Sequence, residues 1–258
     1  MLCLEDGVSI TDEDVHPTWL RTVYRRHHTI TQPPNKVILP VCARCNSSMG
    51  ATFEDPAAPL WKQIMWGQPR PLEEQDRVVL IRWLVKTDAL YALVRLQAPR
   101  TGYYLPSERA QARLRGLVQT MMETPGVPDG VFVRIGLSSA TAAKPSIPRP
   151  FRPTSVSYHI ADDWIDSINS VGMIVTHTVV LADRSGRLDE YSSGLAGDDR
   201  FTILTASGTP WPPRRGLESD GARQMMLAHG HDPRNRIGAG WRLLVGPESG
   251  WLRPEPHA

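Results

Sequence analysis

The stretch Cys42-Ala43-Arg44-Cys45 decides what kind of fold this chain can adopt. A C-x-x-C turn lets two thiolates meet one tetrahedral zinc ion, at about 2.3 Å from each sulfur. The pair is half of a site, and Cys3 with Asp6, three residues later, are the candidates for the other half. His27 or His28 could supply the fourth ligand instead. The spacing therefore predicts a small zinc-stabilised module near the start of the sequence.

The cysteine count and the first residues indicate a compartment. Three cysteines, two of them in one C-x-x-C pair, suit a reducing environment and metal binding better than a disulfide framework. Met1 is followed closely by Glu5 and Asp6, without the basic start and apolar run of a secretory signal. The mostly apolar residues 171–182 are too few to span a bilayer. We expect a cytoplasmic protein with no membrane partner.

Composition sets limits on the function. The chain has 258 residues, of which 41% are hydrophobic and 22% charged, as in ordinary folded proteins, and 23 prolines favour loops and short elements. A net charge of +2 is mild, so no global positive field identifies a polyanionic partner. Any surface for nucleic acid must therefore be local.

Periodicity divides the chain into three regions of an α+β fold. Residues 1–66 hold every cysteine and end in a short helix that begins after Pro56. Residues 67–126 form a helical segment, with helices expected over residues 72–94 and 107–122. Residues 127–258 alternate in the manner of strands and form a strand-rich region. The clearest alternations are Val131, Val133 and Ile135, then residues 173–181 and 201–204.

The residues around the cysteines resemble the HNH endonuclease family. Glu13-Asp14-Val15-His16-Pro17-Thr18-Trp19-Leu20 lies between the two half-sites, and Cys45 is followed by Asn46, Met49 and Glu54. In one branch of that family, a first C-x-x-C-Gly precedes an acidic-His-Val-x-Pro-x-Trp-Leu segment. A second C-x-x-C-Asn then runs into a Met and an acidic-capped helix. A weaker resemblance continues through Trp83, Lys86, Thr87 and Trp211-Pro212-Pro213.

This resemblance implies an HNH-like ββα module on structural zinc that cleaves phosphodiester bonds in DNA with Mg²⁺ or Mn²⁺. Two positions depart from the family pattern: Asp6 replaces a cysteine, and Asp14 stands where the family has its general-base histidine. If residues 13–16 form a strand, Asp14 and His16 share a face about 6.6 Å apart. Asp14 could then hold the divalent ion while His16 acts as base and Asn46 assists. The alternative is a decayed site in which His16 packs beside Pro17.

A basic cluster in the same region suits phosphate contacts, by its charge and by the guanidinium fork. Its members are Arg21, Arg25, Arg26, His27 and His28. The alternative is an ordinary solvated helix face, because apolar residues at helical spacing lie opposite. These are Trp19, Leu20, Val23 and Tyr24.

Other candidates have weaker claims. Trp83 and Tyr91 could stack on bases, but their helical spacing among aliphatic residues favours a core position. Arg214-Arg215 fits a surface loop as well as a phosphate contact. His229-Gly230-His231-Asp232 has the composition of a loop, with nothing nearby in the sequence to complete a metal site.

Three functional hypotheses follow from these features. The first is a divergent HNH endonuclease that acts on DNA through His16, Asp14 and Asn46, with catalytic Mg²⁺ or Mn²⁺. The second is a catalytically decayed zinc module that binds nucleic acid. The third is a zinc-stabilised protein-interaction domain whose strand-rich region performs the recognition.

Overall fold

The computed structural model of the protein describes residues 8–26, 37–95, 108–137, 156–161, 164–171, 174–181, 198–205, 211–213, 215–217 and 242–244. Within them the chain begins with strand β1 (Ile10–Asp14) and helix α1 (Thr18–Arg26), followed by strand β2 (Ile38–Cys42). Strands β1 and β2 pair antiparallel, with Ile10 opposite Cys42 and Asp14 opposite Ile38. The strand considered for residues 13–16 therefore ends two residues earlier, at Asp14.

A continuous helical stretch follows β2 directly. Helix α2 (Ala43–Met49) passes into a π-helical turn (Gly50–Glu54) and then into helix α3 (Asp55–Ile64). Pro56 lies in the first turn of α3, directly after the π-helical turn. The predicted short helix is confirmed, although it begins as a continuation of α2 and not as a separate element. Residues 10–64 thus have the order strand, strand, helix, with α1 inserted between the strands.

Helix α4 (Glu74–Arg95) is the central element of the fold. Glu74 and Asp76 lie in its first turn, where the helix dipole favours acidic side chains, and the helix contains no glycine or proline. Every residue from 80 to 93 is buried, so the helix is covered on all sides and not on one face. Trp83 and Tyr91 are confirmed as core residues.

Several polar side chains of α4 are buried with the apolar ones, and each meets a different part of the chain. The Arg82 guanidinium donates to the carbonyl oxygens of Met121, Thr124 and Gly126 at the end of helix α5 (Glu108–Glu123). The Asp88 carboxylate accepts hydrogen bonds from the Ser167 hydroxyl, at 2.7 Å, and from the Asn169 amide. These contacts hold α4 against both α5 and the sheet.

The distal sheet has six strands in the order β7-β3-β6-β5-β4-β8, and every described pairing is antiparallel. Its strands are β3 (Val131–Leu137), β4 (Val156–Ala161), β5 (Trp164–Val171), β6 (Ile174–Leu181), β7 (Phe201–Ile203) and β8 (Arg242–Leu244). The mixed α+β class and the strand-rich distal region are confirmed. Strand β3 differs from its predicted alternation, because residues 131–136 are all buried and Arg134 is only 4% exposed.

One hydrophobic core joins all three sequence regions. It extends from Val15 and Trp61 in the first region, through Trp83 on α4, to Val133 in the sheet. Trp83 contacts two other indoles, with its ring centroid 4.9 Å from that of Trp61 and 5.8 Å from that of Trp19.

Among the described helices, none has the length and apolar character needed to cross a bilayer.

Candidate functional site

The two cysteines of the C-x-x-C pair lie at the junction of β2 and α2. Cys42 ends the strand and caps the helix, and its Sγ accepts a hydrogen bond from the Cys45 backbone N–H at 3.3 Å. Both side chains are buried. An N–H···S bond suits a negatively charged sulfur, so this donor pair fits half of a zinc site.

The other half of the predicted zinc site lies outside the described residues. Cys3, Asp6, His27 and His28 all fall in that undescribed part of the chain. Within the described ranges, no group of three or more His, Cys, Asp or Glu side chains comes together. The zinc ligand set therefore stays a prediction at all four positions.

His16 lies beyond the end of β1, because the strand stops at Asp14 and the Val15 N–H bonds instead to the Val37 carbonyl at 2.9 Å. Its side chain is 2% exposed and its Nε2 is hydrogen-bonded to the Tyr91 hydroxyl on α4. Burial, with smaller effects from Lys86 and Arg21, lowers the pKa of His16 to about 3. The imidazole is therefore neutral at physiological pH and enclosed by the core.

Asp14 has a different partner. Its carboxylate forms an ion pair with Arg21, whose Nη2 also lies 3.5 Å from the Thr18 hydroxyl. Asp14 and His16 thus contact separate groups, Asp14 toward α1 and His16 toward α4. The predicted shared face for a base and a metal ligand depended on a strand that continued to residue 16.

Asn46 holds α2 against the hairpin. Its amide nitrogen donates to the Thr11 hydroxyl at 3.0 Å and lies 3.5 Å from the Asp12 carbonyl. This places Asn46 beside β1. Its described contacts are structural.

A buried ionic cluster at this junction was not anticipated from the sequence. The Lys86 Nζ of α4 lies 2.6 Å from Glu13 Oε1 and 2.7 Å from Glu54 Oε1. Lys86 is fully buried, and Glu13 is nearly so. Burial raises the pKa of Glu13, while the neighbouring Lys86 ammonium opposes that effect. A lysine within the mostly apolar stretch of α4 was the available signal, but it identified neither partner.

The remaining predicted residues are distributed as follows. Arg25 and Arg26 form the last turn of α1, and the structure describes their backbone only. Trp211 is a buried residue whose indole N–H donates to the Gln68 carbonyl at 3.2 Å, and Arg215 is exposed. Arg214 and residues 229–232 lie outside the described residues.

The ion pairs of Glu13 and Asp14 determine whether these carboxylates could hold a catalytic metal ion. Glu13 has Lys86 as its cation and Asp14 has Arg21, so both of the carboxylates that directly precede Val15 and His16 in the sequence are already neutralised by a side chain. A catalytic divalent ion would have to displace one of these cations, and the residues do not fit it in this arrangement.

Comparison with protein-family models, with curated proteins and with solved structures finds no match to this chain.

Proposed function

We propose that this chain is a nucleic-acid-binding protein built on an HNH-like zinc module that does not cleave its ligand. The burial of His16 carries the proposal. A general base must reach the attacking water, whereas His16 is 2% exposed and packs against Tyr91. Its strongly lowered pKa also makes it a weak proton acceptor near neutral pH.

Support for the HNH-like module comes from the order of its elements. The antiparallel β1–β2 hairpin is followed at once by a helix, and the C-x-x-C pair spans the junction between β2 and α2. This is the arrangement that the sequence resemblance implies. The hydrogen bond between Cys45 N–H and Cys42 Sγ supports structural zinc at the same place.

Support for a nucleic-acid ligand comes from helix α1. Its sequence, TWLRTVYRR, contains three arginines and no acidic residue. Leu20 is buried in the core, while Thr18 is exposed on another side of the helix. Arg25 follows Arg21 by four residues in the sequence, one helical turn, and α1 contains no acidic residue to offset its charge. A local basic helix is the kind of surface that a mildly charged protein needs for phosphate contacts.

The test is the salt dependence of binding to a fluorescein-labelled DNA duplex, followed by fluorescence anisotropy. Phosphate contacts make log K fall linearly with log salt, with a slope of about 0.9 per contact. We expect the Arg25→Gln/Arg26→Gln variant to bind more weakly and to lose up to about 2 from that slope. The matched control is Arg109→Gln/Arg200→Gln, which removes the same charge from exposed positions on α5 and directly before β7.

Plasmid cleavage with Mg²⁺ or Mn²⁺ separates this proposal from the nuclease hypothesis. We expect zinc-loaded wild-type protein to leave the plasmid intact. Cleavage by the wild type that disappears in His16→Gln would instead establish a nuclease that uses His16. Failure to bind DNA even at low salt would favour the protein-interaction hypothesis.

A further inference from the structure

The ion pair between Asp14 and Arg21 joins the end of β1 to helix α1. It is formed by the Asp14 Oδ2 and the Arg21 Nη1. The other carboxylate oxygen, Oδ1, is buried and has no hydrogen-bond partner within the described residues. In the part of the chain that the structure describes, Arg21 is therefore the group that balances the charge of Asp14.

The Arg21 guanidinium lies between this carboxylate and the surface of α1. Its Nη2 is 3.5 Å from the hydroxyl of Thr18, an exposed residue, and the Arg21 side chain keeps 15% of its surface exposed. A guanidinium presents several donors in a planar fork that matches a phosphate as well as a carboxylate. Arg21 thus has the position and the chemistry of a residue that binds phosphate, but Asp14 already holds one of its donors.

We infer that Asp14 restrains nucleic-acid binding by α1, because its carboxylate competes with a phosphate for Arg21. The inference rests on the proposed function and concerns the regulation of the same helix. While Arg21 neutralises Asp14, it does not neutralise a phosphate, and it releases no counterion from the nucleic acid. α1 itself contains no acidic residue, so the competing carboxylate comes from β1. Removing the charge of Asp14 adds one phosphate contact to those that α1 makes.

The size of the effect follows from counterion release. One further phosphate contact adds about 0.9 to the slope of log K against log salt. If this contact contributes nothing near 1 M salt, it strengthens binding by up to about 15-fold at 50 mM salt and by about 4-fold at 200 mM salt. The gain therefore shrinks as salt rises, which distinguishes a new phosphate contact from a change in the packing of the helix.

The experiment measures the affinity for the fluorescein-labelled duplex by anisotropy from 50 to 400 mM salt. The test variant is Asp14→Asn, which removes the charge and keeps the size of the side chain. The matched control is Asp12→Asn, which makes the same change of net charge at an exposed position of the same strand. The double variant Asp14→Asn/Arg21→Gln removes both members of the ion pair. Circular dichroism shows whether each variant is folded.

We expect Asp14→Asn to bind the duplex more tightly than the wild type, by up to about 15-fold at 50 mM salt, with a slope steeper by about 0.9. Asp12→Asn should change the affinity much less and leave the slope as it is. The double variant should bind like the wild type, because the arginine that became available is lost again. If Asp14→Asn does not fold, the double variant decides, since neither charge is left unpaired in it.

Three outcomes would overturn the inference alone, given a wild type that binds and an Arg25→Gln/Arg26→Gln variant that binds more weakly. The first is an Asp14→Asn variant that binds no more tightly than Asp12→Asn. The second is weaker binding by Asp14→Asn, which would mean that the carboxylate orients Arg21 for the ligand. The third is a folded double variant with a slope about 0.9 lower than that of the wild type, since Arg21 would then already contact a phosphate. Absence of binding by every variant at 50 mM salt would overturn the proposed function as well.

Discussion

His16 and Tyr91 are hydrogen-bonded through the imidazole Nε2 and the phenol hydroxyl although they lie 75 positions apart in the sequence. Their ring centroids are 5.0 Å apart, and the rings meet edge to face. This contact joins the end of β1 to α4 inside the core. It gives His16, which the motif alone suggested as a base, a structural role.

The burial of His16 predicts a specific loss of stability in acid. The pKa of His16 is lowered from 6.5 to about 3 in the folded protein. Below pH 6.5 the unfolded chain therefore binds a proton that the folded protein does not. The free energy of unfolding is unaffected by this group above pH 6.5 and decreases as the pH falls toward 3. The full loss amounts to about 5 kcal/mol at most. Chemical denaturation of wild type and His16→Gln from pH 7.5 to 4 should show the wild type losing stability faster. Parallel pH curves would contradict the assignment.

The hydrogen bonds of Arg82 predict that its substitution lowers the stability of the protein mainly at the end of α5. Its guanidinium binds carbonyls of Thr124 and Gly126 at 2.6 and 2.9 Å, beyond the last turn of α5. Arg82→Met leaves these acceptors unpaired and should destabilise the protein by about 2–4 kcal/mol. Hydrogen exchange should increase most at the end of α5. Arg77→Met, near the start of the same helix, serves as the control and should have little effect.

Two glycines predict opposite effects of the same substitution. A Cβ on Gly136 would lie 2.9 Å from the Leu217 side chain and 3.1 Å from the Arg200 carbonyl oxygen, so Gly136→Ala should cost about 1–3 kcal/mol. A Cβ on Gly116 in α5 would meet nothing within 4 Å. Gly116→Ala should stabilise the helix by up to about 1 kcal/mol. Urea unfolding midpoints measure both, and effects of equal sign would contradict the packing around Gly136.

The proposed zinc site predicts a metal content that depends on the C-x-x-C pair. Purified protein should contain about one zinc ion per chain, released when the thiols are modified. Cys45→Ser should lose the metal and lower the Tm, whereas Ser47→Ala on the same helix should retain it. Zinc content measured by a colorimetric chelator checks both variants. A zinc-free wild type that is fully folded would refute the site.

Local patterns predicted the elements of this fold better than the contacts between them. The acidic first turn and the apolar content of residues 72–94 were enough to predict α4, and alternation predicted β6 almost to its ends. The partners of the buried polar groups were not predictable. Lys86 meets residues 73 and 32 positions away, and periodicity reports only on neighbours within a few residues.

In the candidate site, too, local features were predictable and long-range contacts were not. The turn at the C-x-x-C pair was predictable because Cys42 and Cys45 are close in the sequence, and in the structure the Cys45 N–H bonds to Cys42 Sγ. The position of His16 was not, because the strand stops two residues before it and the alternation of side chains along a strand no longer fixes which way it faces. β1 ends at Asp14, so Asp14 and His16 do not share a face of this strand as predicted.

The polar residues of α4 bear on whether the ββα unit can exist by itself. A fragment that stopped at residue 66 would keep Glu13 and Glu54 but lose the ammonium between them, and His16 would lose the Tyr91 hydroxyl. Two acids would then face each other beside an exposed imidazole. The unit and the long helix are therefore mutually dependent, and a transplant or an isolated expression of the unit must carry α4 with it.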